Sequence, residues 1–154
     1  MSKREAAKRI EYVTLKMVRE KTSLLYPQRV IRRPEDAAAL FRQLIGDAEC
    51  DREMFGVLTL DTKNQPNAFQ IVSVGTLNAS LVHPREVYKI CMLSNAASLM
   101  CFHNHPSGDP SPSKEDIEVS RHLFESGQLL SIDLLDHIII GDGTFVSMKE
   151  RGLM

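Results

Sequence analysis

Residues 97–140, ASLMCFHNHPSGDPSPSKEDIEVSRHLFESGQLLSIDLLDHIII, carry the pattern that decides the fold. The run opens as an uncharged apolar block, ASLMCFHNH, and stops at Pro106, which has no N–H to donate to a β ladder. That block reads as a buried strand. PSGDPSPS is a loop by composition. A helix is expected from about 113 to 126, with Ile117, Ser120, Leu123 and Phe124 on one face and Gly127 just past its end. LLSIDLLDHIII then reads as a central strand, and Gly141-Asp142-Gly143 turns it into a last short strand, TFVS.

Upstream, Pro34 opens a helix at its first position, with Glu35 and Asp36 in the electropositive first turn. Ala37, Leu40, Phe41 and Leu44 form its apolar stripe, and Gly46 closes it. Two extended segments follow, 53–61 and 67–75, joined by the turn-rich TKNQP as a hairpin. A further helix begins at Pro84, just after His83, and turns Val87, Ile90 and Cys91 inward; Arg85 and Glu86 read as a solvated pair in its first turn, and Met92 and Met100 as core. Residues 11–19, EYVTLKMVR, alternate Val13, Leu15 and Met17 with Thr14 and Lys16. That favours a strand, and a helix through Ala6, Ile10, Val13 and Met17 fits nearly as well. Strands and helices mix without regular βαβ alternation, so the expected class is α+β.

A chain of 154 residues is one domain's worth and can bury a core without disulfide staples. With 19 Lys/Arg against 20 Asp/Glu, a net charge of −1 gives the whole molecule no attraction to nucleic acid or anionic membranes. The charge is uneven: residues 1–33 hold ten Lys/Arg and three Glu, or +7, and the remaining 121 residues sum to −8. The expected organisation is a basic arm or strand over 1–33, able to touch a nucleic acid or an acidic partner, and a domain over 34–154. No apolar run approaches the ~20 residues that cross a bilayer, and the basic MSKREAAKRI is followed by no apolar signal core. Cys50, Cys91 and Cys101 are odd in number and form no C-x-x-C pair, which points to a reducing, cytoplasmic setting.

The chemistry lies in His103-x-His105-Pro106, six residues, Ser113, two residues, Asp116. Residues i and i+2 of a strand face the same way, ~6.6 Å apart, so two imidazoles can lean their nitrogens to the separation a tetrahedral zinc needs. The loop folds back, and Asp116 in the first helical turn returns a carboxylate to the same point. Two histidines and one carboxylate leave a fourth position for water, the ligand set of a catalytic rather than a structural zinc, though other divalent ions are compatible. Taken alone, H-x-H is an ordinary strand pair and Ser113-x-x-Asp116 an ordinary helix cap. The five positions together arise by chance in about one chain of this length in twenty thousand. A hydrolase of this kind also needs a carboxylate base; Glu49, Asp51, Glu53, Asp61 and Asp133 are open candidates. Cys101 is expected as a small buried side chain rather than a fourth ligand. His137 is expected as a core histidine, with Asp136 and His137 able to orient a ligand.

The H-x-H-P-x6-S-x2-D pattern resembles the JAMM motif of JAB/MPN metalloenzyme domains. HNHPSGDPSPSKEDIEVSRHLFESGQLLSIDLLDHIIIGDGTFVSMKERGL, GTLNASLVHPREVYK and EMFGVLTLDTKN are similar to the JAB domain of RadC-like proteins, over about residues 50–154. The resemblance implies a curved, mainly antiparallel or mixed sheet flanked by helices, in the cytidine-deaminase-like style. It implies one zinc ion on His103, His105 and Asp116, Glu53 as general acid/base, and Ser113 as a donor to the water or oxyanion. The implied activity is metallopeptidase or isopeptidase hydrolysis of a peptide or protein substrate. Longer RadC-like proteins, historically tied to DNA repair, carry a helix-hairpin-helix region; this chain is expected to be a short stand-alone member without one. Two other classes compete: a DNA-associated accessory protein using the basic arm, whose binding would fall steeply with salt, and a non-catalytic MPN interaction scaffold.

Overall fold

The computed structural model describes residues 9–21, 30–46, 51–75 and 82–154. In chain order these build α1 (Pro34–Ile45), β1 (Met54–Leu60), β2 (Pro66–Val74), α2 (Pro84–Leu93), β3 (Ser98–Asn104), α3 (Lys114–Leu130), β4 (Asp133–Ile140) and β5 (Phe145–Ser147). The strands form one sheet in the order β2-β1-β3-β4-β5. Only β3 and β4 are parallel, joined through α3; the β1–β2, β1–β3 and β4–β5 pairs are antiparallel. This is the α+β, mixed-sheet architecture expected.

Period-two alternation gives the sheet two apolar faces. Phe55 and Val57 of β1 with Leu99 and Cys101 of β3 meet Tyr88 and Cys91 of α2 and Val119 and Leu123 of α3. On the other face Leu58, Leu60, Met100, Phe102, Ile138 and Ile140 pack against Ala37, Leu40 and Phe41 of α1. Phe41 stacks on Phe102 with centroids 4.8 Å apart. Each such fully buried side chain contributes about 1.5–3 kcal/mol. α1 starts at Pro34 as the sequence indicates; the Asp36 carboxylate accepts from the Arg32 and Arg33 N–H groups, and Gly46 takes φ 68° past the last turn.

Four expectations are corrected. Residues 9–21 form neither the strand nor the alternative helix, and Tyr12, Leu15 and Val18 lie open to solvent. α3 does not stop before Gly127 but runs to Leu130, and Ser131 provides the left-handed end at φ 58°. Gly127 is an interior contact: a Cβ there would sit 2.5 Å from both the Ile132 carbonyl and the Tyr88 hydroxyl. Leu129 and Leu130 therefore close the helix rather than open β4. Met92 is an exposed α2 residue rather than core, and Glu86 pairs with Lys89 at 2.9 Å, one turn on, instead of with Arg85.

Candidate metal centre

The centre lies where β3 runs into the loop before α3. The main-chain ladder between β1 and β3 ends at Phe55 opposite His103. His105 falls one residue beyond the strand and is held there by its N–H to the Ile140 carbonyl at 2.8 Å. The two imidazoles meet edge to face, with centroids 4.6 Å apart.

The His105 tautomer follows from its partner. Nδ1 is 2.7 Å from the Asp109 carbonyl oxygen, which can only accept, so Nδ1 carries the proton and Nε2 is presented as a lone pair. The loop that supplies Asp109 packs tightly: the Asp142 N–H donates to the Gly108 carbonyl, and a Cβ on Gly141 would fall 2.3 Å from that same oxygen.

Asp116 sits 1% exposed in the first turn of α3. Its Oδ1 is 3.4 Å from His103 Nδ1 and its Oδ2 is 3.2 Å from His105 Nε2. Ser113 is the N-cap: its Oγ accepts from the Asp116 N–H at 3.1 Å, and its own N–H donates to Asp116 Oδ2 at 2.8 Å. The cap thereby orients the carboxylate between the two rings.

The atoms present fit a cation. Both ring nitrogens of buried His103 lack a hydrogen-bond partner among the described residues. A carboxylate oxygen facing a histidine lone pair at 3.2 Å repels it unless positive charge lies between them. Separations of 3.2 and 3.4 Å suit the edges of a tetrahedron with ~2.1 Å bonds. Glu53, His103 and His105 also bring one ligand atom each within 4.8 Å of one another and form a group that could hold a metal ion. Two carboxylates thus address one histidine pair. Burial pushes the His103 pKa down to about 4, more strongly than the Asp116 charge raises it.

Two supports were not read from the sequence as such. Glu53 precedes β1 rather than opening it, and the Asn104 side chain brackets it: Oδ1 accepts from the Met54 N–H at 2.7 Å and Nδ2 donates to the Arg52 carbonyl at 3.0 Å. The amide adds a rung where the ladder has ended. Behind His103, the Ser120 hydroxyl donates to the Asp116 carbonyl at 2.9 Å. Its oxygen, 2.5 Å from His137 Nδ1, therefore accepts a hydrogen bond from the N–H of that ring. Neighbouring Asp136 accepts from the His137 and Lys149 N–H groups and the Ser147 hydroxyl, while burial pushes its pKa up.

Of the remaining candidates, Asp61 caps the hairpin turn through the Lys63 and Gln65 N–H groups, Asp51 and Asp133 are exposed, and Glu49 lies outside the described residues. Cys101 is buried in the core, paired in register with Val57 and His137.

A family model described as the RadC-like JAB domain matches residues 31–153. The chain belongs to the RadC-like JAB domain family. It is 57% identical over 126 residues to a UPF0758 protein of Bacillus licheniformis, covering 81% of this chain and 55% of the relative. It is 53% identical over 128 residues to a UPF0758 protein of Methanosarcina acetivorans, covering 83% and 55%. UPF0758 protein YsxA of Bacillus subtilis is 54% identical over 125 residues, covering 81% and 53%. The chain spans about half the length of these curated relatives. No helix among the described residues is long and apolar enough to cross a membrane.

Proposed function

We propose that the RadC-like JAB domain, over residues 34–154, is a zinc-dependent hydrolase that cleaves peptide or isopeptide amide bonds. Asp116 set between two imidazoles, one of them with both nitrogens buried and unpartnered, carries this reading. His103, His105 and Asp116 would hold the ion. With one negative charge among three ligands, zinc there supplies Lewis acidity toward a carbonyl oxygen and brings the ionisation of water toward neutral pH.

The chain's own residues do the rest. Glu53, steadied by Asn104, takes a proton from the attacking water and gives it to the nitrogen that departs as the C–N bond breaks. Ser113 Oγ accepts from the Asp116 N–H, so its own hydrogen remains available for the oxygen on which negative charge develops.

The test is metal analysis of the purified protein beside His103→Ala and Glu53→Gln. The parent is expected to hold one zinc per chain, His103→Ala to lose it, and Glu53→Gln to keep it while losing hydrolysis of an isopeptide-linked lysine substrate. Stoichiometric zinc in His103→Ala, or undiminished hydrolysis in Glu53→Gln, refutes the assignment.

A further inference from the structure

The segment 9–21 leaves the body with its apolar side chains in water. Ile10 is 85% exposed, Tyr12 105%, Val13 77%, Leu15 78% and Val18 78%. In an extended chain Val13, Leu15 and Met17 project to one side and Ile10, Tyr12 and Val18 to the other. One face of such a strand is apolar at 13, 15 and 17, and the other mixes Ile10, Tyr12 and Val18 with Thr14 and Lys16, so apolar side chains project to both sides.

The sheet has a matching vacancy in pairing. β2 is its end strand, bonded to β1 alone among the described strands. It is nine residues long, and PNAFQIVSV contains no charged residue. Long edge strands are ordinarily guarded by charges, mid-strand prolines or brevity. Here the proline stands at the first position and no charge interrupts the strand; the pairing with β1 shifts register at two places, between Phe55 and Gly56 and between Thr59 and Leu60. Phe69 packs only partly against the α1 layer, Val72 only partly against the α2–α3 layer, and Val74 is 55% exposed. A further strand would cover apolar surface on both faces.

We propose that residues 10–18 of one chain add as a strand to the β2 edge of a second copy, which returns its own segment in the same way. Charge sits on the flanks: residues 10–18 hold only Glu11 and Lys16 and β2 holds no charged residue, but Arg9, Arg19 and Lys21 bracket the segment and the body over 34–154 carries −8, which favours the exchange. So does position. The Ile31 N–H donates to the Asn64 carbonyl in the β1–β2 turn, so the chain stands beside the start of β2 at a point ten residues in sequence from the 9–21 segment, whose side chains lie in solvent off its own sheet. A reciprocal exchange of this kind is isologous and closes at two copies, so it yields a dimer rather than a filament. The inference does not rest on the metal centre or on hydrolysis.

Light scattering on the full-length chain is expected to give twice the 17.3 kDa chain mass at micromolar concentration. The double variant Val13→Lys/Leu15→Lys changes two solvent-exposed residues; it should keep the parent's circular dichroism and raise the dimer dissociation constant at least 100-fold. In a second experiment, Tyr12 is replaced by photoreactive benzoylphenylalanine, and nitrogen-15-labelled and unlabelled chains are mixed. Mixed-isotope cross-links from position 12 to residues 66–74 are expected. A monomeric parent overturns the proposal, as does a dimer indifferent to the two lysines. Cross-links confined to one isotope would place the segment on its own sheet. A monomeric parent that binds duplex DNA through this segment would make it a nucleic-acid contact; either result also overturns the proposal.

Discussion

Ser113→Ala separates two jobs that the structure gives one side chain. The hydroxyl oxygen accepts from the Asp116 N–H at 3.1 Å, and the main-chain N–H of the same residue donates to Asp116 Oδ2 at 2.8 Å. The substitution removes the first bond and keeps the second, because the main chain is unchanged. Loss of a serine N-cap costs about 1 kcal/mol, and Ser113 is exposed enough for water to replace part of it. In a chain of this size that is a melting-temperature drop of roughly 3 °C. Asp116 stays oriented, so zinc content should be unchanged. Turnover should fall about 10²–10³-fold if the hydroxyl hydrogen serves the developing oxyanion. Calorimetric melting, metal analysis and hydrolysis assays on one preparation read all three. If zinc departs with the hydroxyl, the oxygen is needed to hold the ion or Asp116; if melting is unmoved, it is no cap; if turnover is unmoved, the oxyanion role is wrong.

Asn104→Ala removes two part-buried hydrogen bonds that bracket Glu53; it should cost about 2 kcal/mol, leave zinc content intact and slow hydrolysis at least tenfold. Equal losses of zinc and activity would show that Asn104 supports the fold rather than Glu53. Gly127→Ala gains about 1 kcal/mol of helix propensity, but its Cβ would press 2.5 Å from a main-chain carbonyl and from the Tyr88 hydroxyl, so calorimetry should show net destabilisation of about 2 kcal/mol. Zinc-free protein should lose stability as pH falls. Burial holds the His103 pKa at about 4 and that of His137 well below its ordinary value, whereas in the unfolded chain both protonate near ~6.5. This contribution is complete above pH ~6.5 and declines through the window down to about 4. A melting temperature that is flat between pH 7 and 5.5, above most carboxylate titration, would show that these rings are not held neutral.

What the sequence disclosed tracks the range of the forces involved. Pro34, Pro84 and the Ser113-x-x-Asp116 cap act within one turn, so the helix starts were legible to within a residue. The H-x-H pair was legible from its spacing, although His105 falls one residue past β3 and is set beside His103 by its bonds to the Ile140 and Asp109 carbonyls. The end of α3 was not. Glycine ordinarily closes a helix, and only the return of β4 and the Tyr88 hydroxyl against Gly127 shows that this one was kept for lack of a Cβ. Glu53 stood among five candidate carboxylates because sheet register, not local spacing, brings position 53 beside a strand fifty residues later. The same distance hid Asn104. Between two histidines it reads as a spacer, and its side chain turns away from them toward the main chain at Arg52 and Met54. Facing away is what lets its amide extend the β1–β3 ladder by one rung and fix the backbone on both sides of Glu53. A one-dimensional motif records the residues that touch an ion; what aims them is written in pairings between strands, and those become readable only once the sheet is built.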